Sequence, residues 1–516
     1  MKAKKSNKSK INNKLWTLIK SLSKGEKKSI KSAVIYHKEG KSNAIRLYEA
    51  IEKQKIYDEQ ALKIFFEGTK MVKHFAAEKV HLYDFILKKL ADYHQNLSPK
   101  TTAFDLLKRA EILLNKGFYT ECQQLLEKTK KLAQNYSLLT ASYEVVDMQM
   151  KLANLRINQE NQKPEQYLIE NRAYIVKQLD NANTYQLISK EIYTIYRKLY
   201  GATSEDVEKN LEHLMEHPLL QDESEAISYE SKKSFYYIHS LYNAITNRLE
   251  LSNEYSEKRV QWAETKPFIL KRDIPAYLRD LLNLVRSQMQ LDKIEESKAT
   301  FAKLKELPHK YPTSFNVTSK TMLLTKILLI ESMICLATFD FESVPNIILK
   351  VEQTILSNET EYDIIDTFRI YCHLANIEFY LEEYNQTIDW CNQILSLQNV
   401  QDIAEERIAI YIYNMLSHYE LGNYDLLSHL VQQTFRYMNK MGRSNPFKRV
   451  VLNFIKSQLK NPNISKYEFQ KCKDKLTDIQ STTTTNLLPN FNILAWLDSK
   501  IQRKTFLEIC KMKNRY

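Results

Sequence analysis

Seven glycines in 516 residues leave this chain few ways to reverse sharply or to lay its backbone against a phosphate. A typical chain carries about 7% glycine. Here they stand at positions 25, 40, 68, 117, 201, 422 and 442, never closer than the fifteen residues between Gly25 and Gly40. A nucleotide-cradling loop needs several glycines within a few positions, so none can be built. Sheet-rich folds need glycine and proline at their many turns, and the prolines number only 11.

What remains is helix. Val80–Leu90 (VHLYDFILKKL) carries apolar residues at spacings of three and four, the stripe of an amphipathic helix, and no stretch alternates as a strand would. Pro99, Pro164, Pro218, Pro267, Pro308, Pro312, Pro446, Pro462 and Pro489 fall between such stripes and are expected to mark helix ends. Short helices with short links fold as antiparallel hairpins. With 43% hydrophobic residues the chain can bury a large core, but its length exceeds what one compact core serves, which points to several domains or an elongated repeat. The densest apolar run, Met322–Ile330, is broken by Thr325 and Lys326, so no membrane span is expected. Polar Ser9–Lys14 stands where a signal peptide would be apolar, and the six cysteines are dispersed without a C-x-x-C pair. A cytoplasmic protein with core cysteines is the expectation.

Self-similarity gives the organisation. Residues 103–136 read as helix, Gly-x-Tyr turn, helix; units of the same kind recur at 368–399 and 408–440, with weaker copies at 239–266, 278–307 and 325–356. Taking the turn aromatic as the register mark selects Tyr119, Tyr255, Ile294, Phe341, Tyr384 and Tyr424. The later units recur near every 40 residues, so their helices or links are expected to be extended.

In the unit 368–399, Tyr371, Leu374, Ala375, Asn376 and Tyr384 match the pattern of the tetratricopeptide (TPR) family, which this chain resembles. Ala110, Gly117, Tyr119 and Cys122 match its small–Gly–aromatic–small positions, and Gly422 and Tyr424 its turn. Met415, Lys258 and Leu427 stand where the family prefers a small residue. The resemblance covers about 240–440 and 103–136. It implies an all-α fold, an α-α superhelix of antiparallel hairpins over 101–440, with capping helices over 441–516. It also implies a groove lined by the first helix of each hairpin, with Asn376, Phe379, Tyr380, Tyr411, Asn414 and His418 facing inward.

The net charge of +13 sits entirely in residues 1–100, where 23 Lys and Arg face 10 Asp and Glu. Residues 1–14 read as a disordered basic tail and 15–100 as a basic helical module. Within it, Ser23 and Glu26 form a capping box, Ser42 and Asp58 can cap further helices, and a long helix fills 71–95. The segment LWTLIKSLSKGEKKSIK resembles the opening of a group of uncharacterised bacterial all-helical proteins. Lys27, Lys28, Lys31 and Arg46 are candidate anion contacts. Yet Arg46 is the module's only arginine, and Glu49 and Glu52 would face the phosphates, so sequence-specific DNA reading is poorly served.

Catalytic constellations are weak. His213 and His217 lie one turn apart, but Pro218 ends that helix, so a surface pair is expected over a metal site. Cys372 and His373 are helix neighbours that point to different faces, and Cys391 sits at a packing position. Neither catalysis nor a cofactor is expected. The residues point to a non-enzymatic scaffold that binds a protein or peptide in its groove. The alternative is a nucleic-acid-associated regulator, with a basic head and a ligand-sensing repeat body, resembling peptide-sensing regulators in layout.

Overall fold

A computed structural model describes residues 14–35, 43–94, 98–155, 164–198, 204–312, 315, 317–356, 364–397, 404–440, 446–458, 465–482 and 492–513. All regular structure among them is helical, and none of these helices is long and apolar enough to cross a membrane. The tail expected over 1–14 lies, save for Lys14, outside the described residues, as does the cap expected at Ser42. The chain divides into two compact units, residues 1–179 and 180–516.

The first unit opens with α1 (Lys14–Ser21), α2 (Lys24–Ile35), α3 (Asn43–Lys53), α4 (Glu59–Phe65), α5 (Lys70–Lys73) and α6 (Phe75–Tyr93). Ser23 and Glu26 make their capping box, with Ser23 N–H donating to Glu26 Oε2 at 2.6 Å. Asp58 caps α4 by accepting from Gln60 and Ala61 N–H. The single helix expected over 71–95 is interrupted at His74, where the chain turns from α5 into α6. Ile19, Leu47, Tyr48, Ile51, Phe66, Leu82 and Ile86 are buried together as its core. Next come α7 (Pro99–Asn115), α8 (Tyr119–Asn135), α9 (Leu139–Asn154) and α10 (Glu165–Lys198), whose residues from Asp180 onward belong to the second unit. Ala110 and Cys122 are fully buried where α7 and α8 meet, since only small side chains let two helices approach closely there.

The second unit continues with α11 (Ser204–Met215), α12 (Tyr229–Ile245), α13 (Leu249–Glu264), α14 (Pro267–Arg272), α15 (Ile274–Gln290) and α16 (Ile294–Lys310). It goes on through α17 (Val317–Thr338), α18 (Val344–Val351), α19 (Ile364–Tyr380), α20 (Tyr384–Ser396), α21 (Ala404–Glu420) and α22 (Tyr424–Lys440). It closes with α23 (Pro446–Gln458), α24 (Lys466–Thr482), α25 (Ile493–Gln502) and α26 (Phe506–Lys513). Each of the six units found by self-similarity corresponds to a helical pair: α7–α8, α12–α13, α15–α16, α17–α18, α19–α20 and α21–α22. Their helices commonly run 17 residues, which accounts for the long period.

Two expectations need correction. Tyr255 lies inside α13, and the residue that opens this helix after the turn is Leu249, so that turn carries no aromatic and the register mark slipped. Pro308 lies within the last turn of α16 and does not end it at the preceding residue.

The turns share one geometry that glycine counting hides. At Gly117, Ser137, Asn247, Asp292, Glu382 and Gly422 the backbone is left-handed, with φ of 79°, 51°, 58°, 57°, 63° and 72°. In each, the next N–H reaches back five residues, as Arg248 N to Asn243 O at 2.7 Å and Glu383 N to Glu378 O at 2.9 Å. This is the Schellman closure, which satisfies carbonyls at a helix C-terminus. Four of the six positions carry a side chain where glycine is the unstrained choice. Gly422→Ala is therefore expected to cost about 1 kcal/mol, and Glu382→Gly, at an exposed turn, to gain a similar amount. Urea midpoints of the two variants check this pair of opposite signs.

Candidate partner-binding face

The basic candidates of the first unit are mostly engaged with their neighbours. Lys27 and Lys31 both reach Glu52, at 3.3 and 2.8 Å, and Lys31 lies over the Tyr48 ring. The Arg46 guanidinium stands 5.7 Å over the Phe66 ring, and Lys28 is exposed. Burial alone raises the Glu52 carboxyl, but hydrogen bonds and charge from Lys31 and Lys27 outweigh it and hold the group below its ordinary 4.5. Glu59 is held low in the same way by Lys79 and Lys63. A carboxyl lowered by folding contributes stability above its unfolded value and loses it as pH falls through the folded one. The first unit should thus lose thermal stability as pH drops below about 4.5, and Glu52→Gln should flatten that slope in calorimetric scans.

The six groove candidates lie on α19 and α21, and three of them are core residues. Asn376, Phe379 and Asn414 are buried, a correction to their expected place on an open groove. Asn376 Oδ1 accepts from the Tyr413 hydroxyl. The Phe379 ring meets Tyr384, Tyr413 and Phe506 at 5.2, 5.6 and 5.5 Å. Tyr380 is stacked on Phe506 at 4.7 Å with rings 5° apart, and burial, aided by Cys510, pushes its hydroxyl pKa up. Tyr411 packs edge-on against Tyr437, and burial lowers the His418 imidazole, which sits 3.2 Å from Asn423 Nδ2.

For Phe379 and Tyr380 the physical reason is the chain's own C-terminal pair, and for Asn376 it is Tyr413 on α21. Phe506, at the start of α26, seats on the ends of Phe379 and Tyr380. In α25, Trp496 is buried among Tyr419, Phe454 and Phe469, and its indole N–H donates to Glu420 Oε1 at 2.6 Å. Lys500 reaches the other oxygen of Glu420 at 2.5 Å.

The part of these helices left open lies elsewhere. On α15, Arg279, Asn283 and Gln290 are exposed and Arg286 half-buried, a stripe at spacings of three and four opposite the helix's buried residues. On α19, Ile365 and Arg369 are exposed, and every residue from Ile370 to Phe379 is buried. Arg286 stands close enough to Arg369, Asp366 and Tyr196 for each to act on its charge. Burial first, then Arg369, lowers its pKa. Among the described residues neither guanidinium makes a hydrogen bond or ion pair. Lys326 of α17, by contrast, is paired with Asp366. His373, hydrogen-bonded to Ser332 at 2.8 Å, is pushed down to about 3 by burial and by Arg369 and Arg286. Nearby, Asp280 is buried between Lys233 at 2.6 Å and Arg259 at 2.7 Å, and Arg259 lies 4.8 Å over the Tyr237 ring.

Sequence reasoning missed Arg286 and Arg369. A signal existed: arginine is the minority base of this chain, 17 against 58 lysines, and Arg279, Asn283 and Arg286 repeat at helical spacing inside the unit 278–307. The other singled-out residues have local roles. His217 Nδ1 accepts from Leu219 N–H, His213 lies 3.6 Å from Glu216, and all six cysteines are buried as free thiols. No cluster of three or more His, Cys, Asp or Glu able to hold a metal occurs among the described residues. No family model matches the chain, and no curated protein matches it.

Proposed function

We propose that the chain is a TPR-like superhelix of stacked hairpins that works by binding a segment of another protein along the first helices of its hairpins. The repeated Schellman turn, recurring at six hairpin corners, supports the stacked-hairpin reading. The observation that carries the binding reading is the open stripe of α15 together with Arg369, polar and unpaired in an otherwise well-packed unit. A groove between inner helices takes an extended or helical segment by side-chain pockets and polar anchors. Chemistry finds no support in the same groups, since burial raises the Cys391 thiol and His373 is held neutral against Ser332. The nucleic-acid reading draws less support, because Lys27 and Lys31 are turned to Glu52.

Panning a random-peptide display library on the full-length protein tests the proposal. A photo-crosslinking residue in place of Asn283 should capture the enriched peptides, and one in place of Tyr467, exposed on α24, should not. Absence of enrichment, or equal capture from both positions, would overturn the reading.

A further inference from the structure

We infer that the solvent face of α4, with the loop before it, docks on an anionic lipid bilayer. Ile56, Ile64 and Phe65 enter the headgroup layer, and the lysines around them meet its negative charge. The inference concerns the first unit and does not depend on the binding face of the second.

Among the described residues, the four most exposed large apolar side chains are Ile56, Tyr467, Ile64 and Phe65, and three of these fall between positions 56 and 65. Ile56 is 83% exposed, and Ile64 and Phe65 are each 70% exposed. Leu62 of α4 and Phe66 at its C-terminus are buried in the core, while Ala61, Ile64 and Phe65, three and four positions apart, are open to solvent. Single exposed apolar residues are ordinary on a protein surface; a contiguous group on one helix face marks a contact site. The backbone that carries them is tied down. Gln54 Nε2 donates to Asp58 O at 2.8 Å, and Asp58 N–H donates to Gln54 Oε1 at 3.2 Å. The Trp16 indole N–H donates to Gln54 O at 3.3 Å. Asp58 also caps α4, so one residue anchors both the loop that presents Ile56 and the helix that presents Ile64 and Phe65. Little ordering remains to be done on docking.

Charge selects the occupant. Lys53 and Lys55 precede the segment and Lys70 and Lys73 follow it, all exposed and without an ion pair among the described residues. Lys63 and Lys79 are held by Glu59, at 2.9 and 2.6 Å. The exposed carboxylates between 53 and 74 are Asp58, engaged as the cap, and Glu67. Upstream, residues 1–14 carry six lysines and no acid. Aliphatic and aromatic side chains beside lysines are what an anionic membrane surface takes up, the former at the boundary of headgroups and acyl chains, the latter at the headgroups. A single-stranded nucleic acid would use the lysines and could stack a base on Phe65, but would leave Ile56 and Ile64 in water. A second copy, joined about a two-fold axis, would bring the same lysines against one another.

The test is sedimentation of the full-length protein with vesicles of phosphatidylcholine alone or mixed with phosphatidylglycerol. Binding should require phosphatidylglycerol and weaken with added salt. Ile64→Gln together with Phe65→Gln should weaken it at least about tenfold, and Ile112→Gln, at an exposed apolar residue of α7, should leave it unchanged. Lys70→Gln and Lys73→Gln should each weaken it about fivefold. All six native thiols are buried, so Ile64→Cys can carry an environment-sensitive dye, whose emission should move to shorter wavelength on the mixed vesicles. These side chains are exposed, so thermal midpoints should stay level. No sedimentation with the mixed vesicles at low salt would overturn the inference. Binding that survives loss of Ile64 and Phe65 but is displaced by oligothymidylate would overturn it in favour of nucleic acid on the lysines alone. A dimer that the same double replacement dissociates, with no vesicle binding, would overturn it in favour of a second copy.

Discussion

Asp280→Ala should destabilise the second unit by about 3–5 kcal/mol, a large share of the roughly 5–15 kcal/mol that a folded domain commands. The Asp280 side chain is fully buried and holds two cations, Lys233 from α12 and Arg259 from α13. Both cations are mostly buried themselves, with 10% and 19% of their side chains exposed. Taking charges out of water is costly, and their attraction repays it only while all partners are present. Removing the shared anion leaves two buried positive charges facing each other across three helices. Asp280→Asn should cost less, because it keeps the volume and one acceptor oxygen, although its NH2 then faces one of the two cations. Urea unfolding of the two variants measures both. A loss under about 1 kcal/mol for the alanine variant would show that water reaches the site and the triad carries little weight.

Trp496→Ala should cost a comparable amount, about 3–5 kcal/mol, and should act on the C-terminal pair of helices first. Trp496 is 1% exposed, packs against three aromatic rings on α21, α23 and α24, and donates to Glu420. Its removal leaves a cavity and a half-satisfied Glu420 beside Lys500. Loosening α25 should release α26 with it, so that Phe506 leaves Phe379 and Tyr380 and a site for proteolysis opens in α26. Phe506→Ala should give the same proteolytic pattern by removing the stacked ring directly. If Trp496→Ala left both the urea midpoint and the cleavage pattern of α26 unchanged, the fastening role of the indole would be wrong.

Much of the architecture was legible because each hairpin states its own pattern locally. Apolar residues at helical spacing, Ser23 with Glu26, Asp58, and the small pair Ala110 and Cys122 each act within a few turns of their own position. The repeat corners were legible only where they carry Gly117 or Gly422. At Asn247, Asp292 and Glu382 the same left-handed turn is made at some strain by residues that do not announce it. That is why the register slipped at Tyr255.

The site was less legible, since it depends on residues far apart in sequence. One stripe of α19 runs Ile365, Arg369, His373, Asn376, Tyr380, and periodicity alone makes its members equivalent. What separates them is packing from other elements: Ser332 against His373, Tyr413 against Asn376 and Phe506, over a hundred residues later, against Tyr380, while Arg369 stays open. Likewise, nothing local to Arg286 reveals that Arg369 and Asp366 of α19 act on its charge.

The most direct test of the account is hydrogen exchange of the full-length protein with and without the peptide enriched by display. Amide protection reports where a ligand closes a local opening reaction. The account predicts new protection concentrated in 274–290 and 364–372, the open parts of α15 and α19. Protection confined to 14–94, or spread without preference for these two segments, would contradict it.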